Sequence, residues 1–184
     1  MKALRPIAAT LVVLGILAAV VVLSRHHRAS APAPAPEGAT PAPTPVPASL
    51  VLFFPGDDTM LHREMREVPE LPAGTPARIK LVVEELVAGS RRGFAPALPW
   101  PATVQTVFLD REGDAWVDLS PPPAGAVSGT GGELALAYAT VNSVVANCPA
   151  VRRVQLLFGG QQVATLGHID LSRPLAPNPE LVAP

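Results

Sequence analysis

Apolar and polar positions follow three regimes along this chain: an unbroken apolar run, a stretch alternating Ala with Pro, and a longer region with periods of two or 3.6. In the last region, Leu50–Phe54 (LVLFF) has the length and composition of a strand and stops at Pro55-Gly56-Asp57-Asp58, a turn cluster. Leu61–Val68 carries two patterns. Leu61, Met65 and Val68 have helical spacing, whereas Arg63, Glu64 and Arg66 suit an exposed edge strand; Pro69 and Pro72 then enforce a loop. Thr75-Pro76 predicts a helix start, with Thr as N-cap and Pro at the first helical position. Ile79, Val82, Val83, Leu86 and Val87 give that helix one buried face, and Gly89 is placed to end it.

Val104–Asp110 and Ala115–Ser120 flank Arg111-Glu112-Gly113-Asp114, a hairpin signal, with Val104, Thr106, Phe108 and Trp116, Asp118 alternating along them. A Pro/Gly-rich loop, Pro121–Gly132, precedes a second helix at Glu133–Cys148. Its apolar stripe is Leu134, Ala137, Val141, Val144, Val145 and Cys148, and Pro149 ends it. Val151–Phe158 reads as a strand, Gly159-Gly160 as a turn, and Gln161–Leu166 as the hairpin partner. The fold class expected is α+β: a two-layer sandwich of a mostly antiparallel or mixed sheet with two helices on one face. It occupies residues 49–176, followed by a disordered tail at 177–184.

The apolar run, Pro6–Leu23, holds no charge over eighteen residues. At about 1.5 Å per residue it reaches roughly 27 Å, close to the ~30 Å hydrocarbon core. Lys2 and Arg5 precede it and Arg25-His26-His27-Arg28 follow it. A cleaved signal peptide is the alternative, but Ala29-Ser30-Ala31 lies beyond the charged cluster and before Pro32. Residues 1–28 therefore read as an uncleaved single-pass anchor in the cytoplasmic membrane, with the domain extracytoplasmic. Residues 29–48 read as a disordered Ala/Pro-rich linker; extended at ~3.1 Å per residue, such a segment spans roughly 60 Å. Residues 49–184 hold 10 basic and 14 acidic side chains. That balance disfavours nucleic acid and other polyanions. A single Cys excludes an intramolecular disulfide, a thiolate zinc cluster and an iron–sulfur cluster.

The second half carries a family resemblance. Gly132-Glu133-Leu134, Val141-Asn142-Ser143-Val144, Pro149-x-Val151-x-x-Val154-Gln155-Leu156-Leu157-Phe158-Gly159-Gly160 and Asp170-Leu171-Ser172-x-Pro174-Leu175 resemble the GerMN domain family in order and spacing. Leu50–Phe54, Leu61-x-x-Glu64-x-Arg66-x-Val68, Leu86-x-x-Gly89 and Val117-Asp118-Leu119-Ser120 agree with it. The likeness spans about residues 49–175. It implies a compact α+β domain on the outer side of a bacterial membrane, without known catalytic residues, and it favours strand for Leu61–Val68. The family is named after a spore-germination and sporulation protein, a lipoprotein in which the domain is repeated. This chain shows one copy and no lipid-bearing Cys, so a sporulation role enters only through the resemblance.

Candidate chemistry centres on a near-repeat, Trp116-Val-Asp118-Leu-Ser120-Pro121 and His168-Ile-Asp170-Leu-Ser172-Arg-Pro174. Asp, Ser and His are the members of a hydrolase triad, yet no G-x-S-x-G elbow accompanies them, and Asp and Ser at strand ends ordinarily bond nearby amides. His26, His27, His62 and His168 form no metal-ligand spacing. Gly125–Gly132 lacks the Lys-Ser/Thr of a phosphate-binding loop. Arg91-Arg92 reads as solvated; Arg152 and Arg153 point to opposite faces of a strand, so that one can partner a carboxylate. Cys148 reads as a small buried hydrophobe. The sequence thus assigns no catalytic, cofactor or metal residue. It describes a non-enzymatic envelope module, held at the membrane through residues 6–23, that contacts an envelope protein or itself. The alternative is an enzyme or a small-ligand or peptidoglycan-binding domain.

Overall fold

The computed structural model describes residues 47–127 and 129–184. The expected membrane span at 6–23 and the linker up to residue 46 lie outside the described residues. Among the described residues no helix is long and apolar enough to cross a membrane.

The order is β1 (Ala48–Pro55), β2 (Leu61–Val68), α1 (Thr75–Val87), β3 (Val104–Leu109), β4 (Asp114–Leu119), α2 (Gly129–Asn147), β5 (Arg153–Phe158), β6 (Thr165–Leu166), β7 (Ile169–Asp170) and a 3₁₀ turn, Pro179–Leu181. Among the described residues the class is α+β with two α-helices, as the periodicities predict. The strands, however, are divided among an antiparallel β1–β2 hairpin, a β3–β4–β5 sheet and a small β6–β7 hairpin. β4 and β5 run parallel, with α2 as the crossover between them, so the three-stranded sheet is mixed.

Inward residues alternate as a half-buried sheet requires. Ala115, Val117 and Leu119 of β4 pair with Val154, Leu156 and Phe158 of β5, and all six are buried. On β1, Leu50, Leu52 and Phe54 are fully buried. Ile79, Val82, Val83 and Leu86 present the predicted face of α1. Its N-cap is Gly74 rather than Thr75, with Pro76 in the first turn, and Gly89 (φ +84°) ends it as the sequence indicates. α2 begins at Gly129, four residues before the expected Glu133, and is buried on more than one side. Leu136, Ala139, Thr140 and Ser143 are fully enclosed, whereas Leu134 and Val145 of the predicted stripe are half-buried. β1, α1, β5 and β7 all pack against α2, which erases a single-sided stripe.

Two expectations are corrected. Gln161–Leu166 is not the hairpin partner of β5: Gln161 alone bridges Phe158, Thr165–Leu166 pairs with Ile169–Asp170, and Leu175 bridges Val154. Residues 177–184, expected as a disordered tail, fold back onto the domain. The Asn178 amide donates to Asn142 Oδ1 at 2.9 Å and its carbonyl accepts from Asn142 Nδ2 at 3.1 Å. Val182 bridges Leu61, and the Ala183 amide donates to the Leu61 carbonyl at 3.0 Å. The physical reason is the edge of β2, whose backbone groups need partners when covered.

Candidate functional site

β2 buries Leu61 and then alternates Glu64, Arg66 and Val68 inward, so two of the three charges expected at an exposed edge are 2% and 1% exposed. Arg66 sits beneath the C-terminal turn of α1. Its Nη1 donates to the Glu85 carbonyl (3.0 Å) and Glu85 Oε2 (2.9 Å), and its Nη2 to the Gly89 carbonyl (2.8 Å) and to Glu64. These carbonyls lie at the negative end of α1, which favours a cation. Glu64 accepts from Ser90 Oγ at 2.6 Å and from the amides of Arg91 and Arg92. Burial pushes the Glu64 carboxyl up, but Ser90, Arg66 and the Arg91 amide outweigh it and hold the group below its ordinary value. The cluster therefore staples β2 to α1 and to the Ser90 loop.

The near-repeat residues do not converge. Asp118 Oδ1 accepts the Gly160 amide at 2.9 Å, fixing the turn after β5, and Ser120 Oγ accepts the Thr103 amide at 3.0 Å. Asp170 Oδ1 binds the Ser172 amide (2.9 Å) and hydroxyl (2.6 Å), which lower its pKa, the hydroxyl most. His168 is exposed, and its amide and Nδ1 meet Glu133 Oε2 at 2.8 and 3.1 Å. The His168 amide is the main cause of Glu133's lowered pKa. Gly167 (φ +56°) lies against that carboxylate, where a Cβ would overlap it, so the β6–β7 turn requires glycine. Among the described residues no group of three His, Cys, Asp or Glu is placed to hold a metal ion.

Other sequence readings fall into place. Arg153 clamps Asp114 through Nε (2.7 Å) and Nη2 (2.6 Å), the carboxylate partner expected for one of the Arg152–Arg153 pair. Cys148 is buried, and burial pushes its thiol up to about 11. His62 meets Asp58 at 2.9 Å and stacks on Phe94. Sequence reasoning did not single out Asn147, and it held Ser143 only as part of the family's Val141–Val144 segment. Asn147 accepts the Val51 amide (2.9 Å) and donates to the Val51 carbonyl (2.7 Å), and Ser143 Oγ accepts the Phe53 amide (3.0 Å). Their i, i+4 spacing in an apolar helix was the available signal.

Two surface features are open to a ligand or partner. A largely apolar cavity of about 380 Å³ lies between the Pro55–Leu61 turn, Ala95–Pro99 and the first turns of α2, with Leu181 of the tail on its wall. Thr59, on that turn, holds a left-handed backbone (φ +65°). On β3 and β4, Phe108 and Trp116 stack across the strands with ring centres 5.6 Å apart, and Phe108 is 47% exposed.

Residues 51–164 match the Germane family model, described as sporulation and spore germination. The chain belongs to the Germane (GerMN) family. Its fold is shared by solved GerMN domains. The first GerMN domain of the Bacillus subtilis sporulation protein GerM aligns at 18% identity with a TM-score of 0.53, over 70% of this chain and 97% of that one. The tandem GerMN domains of GerM align at 16% identity and 0.53, over 71% of this chain and 46% of that one. A Clostridium perfringens protein assigned as a lipoprotein aligns at 22% identity and 0.50, over 71% and 87%. At these identities the likeness establishes the GerMN fold alone. The search among curated proteins gave no match.

Proposed function

We propose that this GerMN domain is a contact module of the cell envelope. Residues 6–23 anchor it, the Ala/Pro linker spaces it from the cytoplasmic membrane, and it acts by binding an envelope protein or another copy of itself. One observation carries the reading: Asp118, Glu133, Asp170, Ser143 and Asn147 bond main-chain groups of their own domain. Groups so engaged shape and rigidify a surface. A role in sporulation or germination comes to this chain through its family alone.

Complementation of a deletion strain tests the proposal. Asp118→Ala, His168→Ala and Asp170→Ala are expected to retain function wherever abundance and melting temperature are retained, and the protein to remain in the membrane fraction. Loss of function at unchanged abundance and melting temperature in His168→Ala or Asp170→Ala would favour the second reading, an enzyme or ligand-binding domain. The apolar cavity supports that reading. Ala135→Leu, which fills the cavity, would then abolish function in a folded protein.

A further inference from the structure

Among the described residues, the edges of β1, β2 and β5 have partners at some of their positions. Ser143 and Asn147 cover β1, Val182 and Ala183 meet the start of β2, and Leu175 bridges β5. β3 is the outer strand of its sheet. The Asp110 amide donates to the Asp114 carbonyl, which makes these two a hydrogen-bonded pair. Antiparallel alternation then makes Phe108–Trp116 the next such pair and turns the N–H and C=O groups of Val107 and Leu109 away from β4. Free edges are ordinarily blunted with charge, Pro or a bulge; β3 has a register irregularity between Val104 and Thr106, but from there on it reads Thr-Val-Phe-Leu, with neither charge nor Pro.

We propose that β3 is a docking edge and that its occupant is a second copy of this chain, paired antiparallel about a two-fold axis at Phe108. This deepens the contact reading above and rests on it. The absence of charge suits self-pairing, because a charge at the axis would face its own copy. Register follows from the side chains. An axis at Val107 sets each Phe108 against Thr106. An axis at Leu109 sets it against Asp110, whose carboxylate already holds the Glu112 and Asp114 amides and the Trp116 indole. An axis at Phe108 joins the two Phe108–Trp116 stacks into a ladder of four rings. It also forms main-chain pairs between Val107 of one copy and Leu109 of the other. Facing Phe108 residues then occupy the non-hydrogen-bonded site, where Cα atoms are about 4.5 Å apart and side chains meet closely. So small an interface falls below the ~1,200 Å² of stable complexes. Free copies associate weakly, and a common membrane supplies the effective concentration.

Disulfide trapping of the full chain in membranes tests this, because native Cys148 is buried. Phe108→Cys is expected to form a disulfide-linked homodimer on mild oxidation, at least about tenfold faster than Lys80→Cys on the exposed side of α1. Thr106→Cys, which faces position 110 in this register, is expected to trap no faster than Lys80→Cys. Differently tagged Val107→Cys and Leu109→Cys chains, which keep Phe108, are expected to crosslink to each other. Success of this pair sustains the proposal even where Phe108→Cys fails. Failure of both relative to Lys80→Cys overturns it, as does preferential trapping through Thr106→Cys. Crosslinks from position 108 only to a different protein overturn the second copy while supporting a contact function. Loss of the contact function itself is read separately, by the complementation assay.

Discussion

Asn147 meets both the N–H and the C=O of Val51, so one side chain does for β1 what a residue of a neighbouring strand would do. Ser143, one helical turn earlier, meets the Phe53 amide. Removing such partners leaves buried main-chain groups unpaired at about 1–3 kcal/mol. Asn147→Ala is expected to lower stability by that amount, and Ser143→Ala by less because one donor is lost; chemical denaturation measures both. The Val141-Asn142-Ser143-Val144 segment was visible in the sequence as a family feature without a reason. The structure supplies one: Asn142 holds the tail while Ser143 caps β1. Glu64 and Arg66 were misread because charge on an alternating strand ordinarily faces water. Their partners Glu85, Gly89 and Ser90 lie 19–26 residues away, beyond the reach of local pattern.

At the scale of elements, legibility followed how many sides of an element are covered. α1 is buried along one stripe, and its face was readable in advance. Val83→Asp puts an unpaired carboxylate on that face at a cost of several kcal/mol, against the ~5–15 kcal/mol holding such a domain together. No cooperative thermal transition is expected; a melting temperature near wild type would show that this face is not the core. α2 is enclosed by several elements, so its periodicity fades. The two-residue strands β6 and β7 are too short to leave a period at all. The tail is proline-rich and uncharged apart from Glu180, which reads as disorder, yet it is fixed by Asn142 and by Leu61. Ending the chain after Ala176 is therefore expected to lower the melting temperature by several degrees, measured by circular dichroism.

At the scale of the whole molecule, five carboxyl groups, Asp58, Glu64, Asp110, Glu133 and Asp170, are held below their ordinary values by hydrogen bonds. Burial raises the pKa of Glu64, but its hydrogen bonds bring it below 4.5, and the His168 amide does the same for Glu133. The unfolded chain then binds more protons in acid than the folded one. These groups contribute stability above pH 4.5, which is lost as pH falls through their lower folded values. Melting temperature is expected to decline steeply below pH 4.5, and Glu64→Gln to flatten part of that decline. The caps on β1 also have a consequence in time. Val51 waits for Asn147, 96 positions later, and Leu61 waits for Ala183 almost at the end of the chain. At about 5–20 residues per second of synthesis, the Leu-Val-Leu-Phe-Phe strand stays without its lasting cover for roughly 5–20 seconds. A nascent chain in this interval is a natural client for chaperones, and a chain released early presents its stickiest segment.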